Sequence, residues 1–150
     1  MTITCPCCEY KWNPSGKTAR SVPQHRRIFG MIRAAHFHWP EMHELQFKDE
    51  VSLRKWLTMK AGWRDIASET DIGSMPAGMV IGIAKAALAA AGGHAVPVVH
   101  KGKLIIWVPR SIAFDKLEHL EACKLFDAIA CVIEQETGLK AEQLLAEKAA

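Results

Sequence analysis

This chain has no unbroken run of about 20 apolar residues, the length a membrane-spanning helix needs. Its most apolar stretch, "MVIGIAKAALAAA", is interrupted by Lys85. The opening "MTITCPCCEYKW" has neither the basic start nor the apolar core of a secretory signal, so the expected location is intracellular and cytoplasmic. Motifs that announce common chemistries are also missing. There is no H-E-x-x-H for zinc-dependent hydrolysis, no serine nucleophile elbow and no glycine loop to cradle phosphate. The patterned Asn, Glu and paired cysteines of HNH nucleases and deaminases are absent as well. No internal repeat and no low-complexity linker occurs. Net charge is small, +3, too little by itself to announce a nucleic-acid partner. No membrane partner is expected, and whether the chain is an enzyme is left open by these absences.

What is present suits one compact domain. A chain of 150 residues, 49% hydrophobic and 23% charged, is long enough to bury its own core. The small net charge hides an uneven distribution. Residues 1–40 hold six Lys/Arg against one Glu, whereas residues 111–150 hold four against eight acids. A basic front can track phosphates. An acidic end can be a solvated helix face or a docking face for a partner.

Punctuation divides the chain into a cysteine-led segment over 1–19 and an α+β domain over 20–150. Ser21 and Gln24 have capping-box spacing, Pro23 suits a first turn, and Ile28, Phe29, Ile32 and Ala35 repeat on one helical face before Pro40. Asp49 is placed to cap a second helix, "EVSLRKWLTMKA", closed by Gly62. "GWRDIASETDIGSMP" reads as a loop. Ser74 and Pro76 open an alanine-rich helix, whose small side chains suit close packing, and Gly92-Gly93 ends it. "HAVPVVH" and "KLIIWVP" flank "HKGK" as a β-hairpin, with Pro97 confining its strand to a sheet edge. Asp115 is placed to cap a long helix ending at Gly138, with Leu117, Leu120, Phe126, Ile129, Ala130 and Ile133 on its apolar side. A short last helix follows. Ile112 and Phe114 alternate ahead of the long helix and are expected inside, against the first helix near Phe29 and Ile32. Helix dominates, with one small antiparallel hairpin.

Three constellations bear on chemistry. Cys5 and Cys8 in "CPCC" have the C-x-x-C spacing of a zinc knuckle, but zinc takes four ligands and no second C-x-x-C exists. Five cysteines, three at one end, fit reduced thiols or a metal better than a disulfide framework. Cys123 and Cys131 read as core, so histidines of "HFHWPEMH" are needed to complete a zinc shell. His36 and His38 are the candidates, with His25 and His43 nearby. Free, oxidisable thiols on Cys5, Cys7 and Cys8 and a surface histidine cluster are the alternative. The second constellation, Asp65, Glu69 and Asp71, has the composition of a magnesium-dependent nuclease loop or of an ordinary polar loop.

The third is "RSVPQHRRIFGMIR". Arg26 and Arg33 lie seven apart, two turns along one helix face, and Arg20 and Arg27 repeat that spacing beside them. Guanidinium groups so placed can fork onto successive phosphates. Lys101, Lys103 and Arg110 around the hairpin extend the basic set. Trp39, Trp63 and Trp107 are candidate stacking platforms for unpaired bases, or core and rim packing. The arginines fit equally a solvated helix face.

"RSVPQHRRIFGMIRAA", "LRKWLTMKAG" and "VPRSIAFDKLEHLEACKLFDAI" together resemble a family of small phage and prophage proteins. The residues that carry the likeness are His25, Arg26, Phe29, Leu53, Gly62, Ser111, Ile112, Phe114 and Phe126. More distantly the arrangement is similar to the NinB-type recombination proteins of lambdoid phages. The likeness covers about two-thirds of the chain, leaving out the cysteine-led segment and the helix over 76–91. It implies a phage-encoded, non-catalytic accessory of recombination or replication that binds single-stranded DNA. A phage factor that inhibits or modulates a host enzyme through the acidic helix is the rival, and a metal-dependent nuclease the third. Oligomeric state, including a homodimer, is left open by the sequence.

Overall fold

The computed structural model describes residues 3–4, 11–12, 22–91, 94–112 and 118–149. The chain is mixed α+β with helix dominant. Its elements are β1 (Ile3–Thr4), β2 (Lys11–Trp12), α1 (Val22–Phe37), α2 (Glu50–Lys60), β3 (Arg64–Asp71), α3 (Ala77–Ala91), β4 (Val96–His100), β5 (Lys103–Pro109), α4 (His119–Thr137) and α5 (Ala141–Ala149). Contacts divide them into two compact units, Met1–Leu57 with Ser111–Ala150, and Thr58–Arg110.

The first unit is helical. Along α1, Ile28, Met31, Ile32 and Ala35 are buried, the three-and-four spacing of one apolar stripe, and the helix packs on α4 and α5. Along α4, Ala122, Leu125, Phe126, Ile129 and Ile133 form the matching stripe, and Leu144 does the same on α5. Each of the large aliphatic side chains among them, fully buried, contributes about 1.5–3 kcal/mol. Gly138 stops α4 in the left-handed region at φ 76°, its N–H donating to the Glu134 carbonyl at 2.8 Å. α1 ends as expected before Pro40. The chain then folds back through an aromatic cluster in which Trp39, Phe47 and Trp56 meet at 5.2 to 6.2 Å between centroids. Asp49 caps α2, its Oδ1 accepting the Ser52 N–H at 2.8 Å.

Three expectations are corrected in this unit. Leu120 is 57% exposed, because it falls off the stripe that Ala122, Leu125 and Ile129 define. Cys131 is exposed and Cys123 only half-buried, so neither is plain core. α4 begins at His119; Asp115, Leu117 and Phe114 lie outside the described residues, as do Ser21 and the capping box it was to form. Ile112 is buried, as its alternation suggested.

The second unit is a β-α-β-β arrangement with strand order β3-β5-β4, all neighbours antiparallel. Lys101 (φ 49°) and Gly102 (φ 72°) make the two-residue turn between His100 and Lys103, the left-handed pair that a tight hairpin requires. Pro97 lies on the edge strand β4, where its missing N–H costs nothing. The stretch expected as a loop contains a strand instead: β3 pairs with β5 along Arg64–Asp71, with a bulge between Ile66 and Ser68. Of α3, Val80 is buried, while Met79 and Ile83 are 50% and 64% exposed. Gly78 and Gly82 face open space among the described residues, so the expected close packing at its small residues is not formed there.

Candidate nucleic-acid interface

Burying Ile28, Met31, Ile32 and Ala35 fixes the rotation of α1 and decides which residues it turns outward. Arg26 and Arg33 are exposed. At 100° per residue, Phe29 and Phe37 fall on the same side, so Arg26, Phe29, Arg33 and Phe37 form one stripe about 16 Å long. Phe37 is 79% exposed, with His38 edge-on to its ring at 4.9 Å. Phe29 is flanked by His25, stacked at 4.4 Å, and by the Arg54 guanidinium of α2, 5.0 Å above its ring. Arg33 meets Glu50 at 3.3 Å. Arg26, Arg33 and Phe37 are therefore exposed along one helix edge, whereas Phe29, expected on the buried face with Ile28, Ile32 and Ala35, is only half-buried and sits between them.

Arg27 is elsewhere. One residue round the helix, its guanidinium lies 4.4 Å over the buried Phe126 ring, with Nη1 buried and without a hydrogen-bond partner. It borders a cavity of about 420 Å³ between α1, α4 and α5 that Phe126, Cys131, Glu134, Glu142 and Leu145 also line. Arg20 lies outside the described residues. Lys103 and Arg110 belong to the other unit, and both are matched by acids of β3. Lys103 pairs with Glu69 at 3.5 Å and Arg110 with Asp65 at 3.1 Å. Lys101 stands exposed in the hairpin turn. Asp71 Oδ1 accepts the Gly73 N–H at 2.9 Å, so all three acids of the second constellation have local partners.

The tryptophans are used for packing. Trp39 is buried and its indole N–H donates to the Leu45 carbonyl at 2.8 Å. Trp107 is capped by the Arg64 guanidinium, 3.1 Å from the ring centroid, and burial lowers the pKa of that guanidinium. Trp63 is half-buried. The exposed aromatic surface is at Phe37, which the sequence reading did not single out; its signal was the four-residue step from Arg33.

The histidines expected to complete a zinc shell are also engaged. His36 donates from Nε2 to the Phe47 carbonyl at 3.0 Å, pinning the returning chain, and His43 Nε2 lies 3.0 Å from Glu136. His38 is exposed at the end of α1. Among the described residues no group of three or more His, Cys, Asp or Glu is arranged to hold a metal; Cys5, Cys7 and Cys8 lie outside them. No described helix is long and apolar enough to cross a membrane. No protein-family model matches this sequence, and neither characterised proteins nor solved structures include a significant relative of it.

Proposed function

We propose that this chain is a phage-encoded, non-catalytic accessory protein that binds single-stranded DNA in recombination or replication, along the outer edge of α1. The observation that carries the reading is the placement of exposed Arg26, Arg33 and Phe37 along one edge of α1, with the half-buried Phe29 between the two arginines. Guanidinium groups neutralise phosphates, and exposed rings offer faces on which unpaired bases stack whatever their sequence. A duplex keeps its bases stacked on one another and has less use for the rings. Binding of this kind is sequence-tolerant and salt-sensitive. The resemblance to small phage and prophage proteins points the same way. The nuclease reading draws no support from Asp65, Glu69 and Asp71, each already engaged.

Fluorescence anisotropy of a labelled oligonucleotide across a salt series tests the proposal. Single strands are expected to bind more tightly than duplex. Replacing Arg26 and Arg33 together by Gln is expected to weaken binding and make the salt slope shallower by about 1–2. A folded double variant that binds like the parent at every salt concentration would remove DNA from the reading. The stripe would then be a surface for an acidic protein partner, such as a host enzyme.

A further inference from the structure

The cavity of about 420 Å³ between α1, α4 and α5, three helices of one compact unit, has an unmatched charge on its wall. Arg27 is half-buried there, with its guanidinium 4.4 Å over the Phe126 ring and Nη1 buried without a hydrogen-bond partner. A ring face attracts the cation but accepts no N–H as an oxygen does. Among the described residues no carboxylate forms an ion pair with Arg27. A guanidinium left in that state gains from an anionic acceptor that reaches it.

Three carboxylates nevertheless line the same space. Asp127 and Glu134 lie two turns apart along one edge of α4, and they and Glu142 of α5 are exposed at the rim. The buried Phe126 and half-buried Leu145 supply apolar wall. One cation, a rim of anions and an apolar lining together narrow the occupant. A phosphate, a nucleotide or a nucleic-acid strand carries only negative charge and meets three carboxylates against one guanidinium. A plain cation suits the rim and is repelled by Arg27. A molecule with one carboxylate, one ammonium and an apolar body matches all three features, and the volume lies within the range of small-molecule sites, about 300–1,000 Å³.

We propose that this cavity binds a small zwitterion of the amino-acid class, either a free apolar amino acid or a short apolar peptide. Its carboxylate pairs with the Arg27 guanidinium, its ammonium lies among Asp127, Glu134 and Glu142, and its apolar body rests against Phe126 and Leu145. Arg26 and Arg33 face another side of α1, so the proposal does not depend on DNA binding.

Calorimetric titration of the full chain tests it with L-phenylalanine and with L-leucyl-L-leucine. Each is compared with its N-acetylated form, which lacks the ammonium, and with its amide, which lacks the carboxylate. At least one zwitterion is expected to bind, with both of its blocked forms about tenfold or more weaker; which of the two binds more tightly distinguishes a free amino acid from a peptide. Arg27→Gln is expected to abolish the preference for the zwitterion over its amide. Because that change also disturbs packing on Phe126, a second variant alters exposed residues alone. Glu134→Gln combined with Glu142→Gln is expected to weaken the zwitterion while the N-acetylated form binds no worse. In the parent protein, alkylation of the exposed Cys131 on the cavity wall, followed by peptide mass spectrometry, is expected to slow when the zwitterion is bound. The proposal is overturned if neither zwitterion binds at millimolar concentration, or if the blocked forms bind as tightly. Unchanged zwitterion affinity in both variants, or Cys131 alkylation at the same rate with and without saturating zwitterion, would overturn it as well.

Discussion

Nε of Arg33 lies 3.3 Å from Oε2 of Glu50, across the gap between α1 and α2, with the two side chains 69% and 45% exposed. At that exposure the pair adds at most about 1 kcal/mol to stability. Its larger effect is on the α1 stripe, where it offsets one of two outward cations. Glu50→Gln is therefore expected to leave the unfolding midpoint nearly unchanged while tightening single-strand binding at low salt and steepening its salt dependence. Weaker binding by the folded variant would show that Glu50 contacts the partner itself.

Phe37 tests stacking separately from charge. Being 79% exposed, it contributes little to folding, and Phe37→Ala is expected to change stability by no more than about 0.5 kcal/mol. If a base stacks on it, affinity falls by about 1–3 kcal/mol, and Phe37→Trp restores it. Equal affinities for all three proteins would mean that the strand does not reach the end of α1.

Two leucines on α4 give opposite outcomes. Leu125 is fully buried and Leu120 is 57% exposed. Leu125→Ala is expected to cost about 2–5 kcal/mol in denaturant unfolding, and Leu120→Ala within about 0.5 kcal/mol. A comparable cost at both positions would mean that Leu120 is covered in solution.

Asp49 accepts the Ser52 N–H at 2.8 Å and satisfies one of the free donors that open α2. Asp49→Ala is expected to cost about 1 kcal/mol, and Asp49→Asn much less. A neutral alanine variant would mean that water serves the same N–H equally well.

The helices were legible because their apolar residues recur with helical period and their ends carry local signals: Asp49 before α2, Pro40 after α1, Gly138 after α4. The hairpin was legible from β-branched runs around Lys101-Gly102. β3 was not, since Ile66 is its one large aliphatic residue and most of its side chains face water; its pairing with β5 makes it a strand, and that partner is some forty residues away. The arginine spacing of the candidate interface could be read directly. The ion pair of Arg33 with Glu50 could not, nor could the inward turn of Trp39 toward the Leu45 carbonyl, because both depend on how the chain returns after α1.

The exposed strand β3 is the outer edge of its sheet, and a free edge invites another chain to add a strand and then another, without limit. Here that ladder is spoiled from within. The bulge between Ile66 and Ser68 breaks the spacing of its hydrogen-bonding groups, and an added strand would have to desolvate the exposed charged side chains along it, Asp65 paired with Arg110 and Glu69 with Lys103. A second copy approaching edge to edge meets the same bulge and the same solvated ion pairs in its own β3, so among the described residues this edge is a poor template for a further strand.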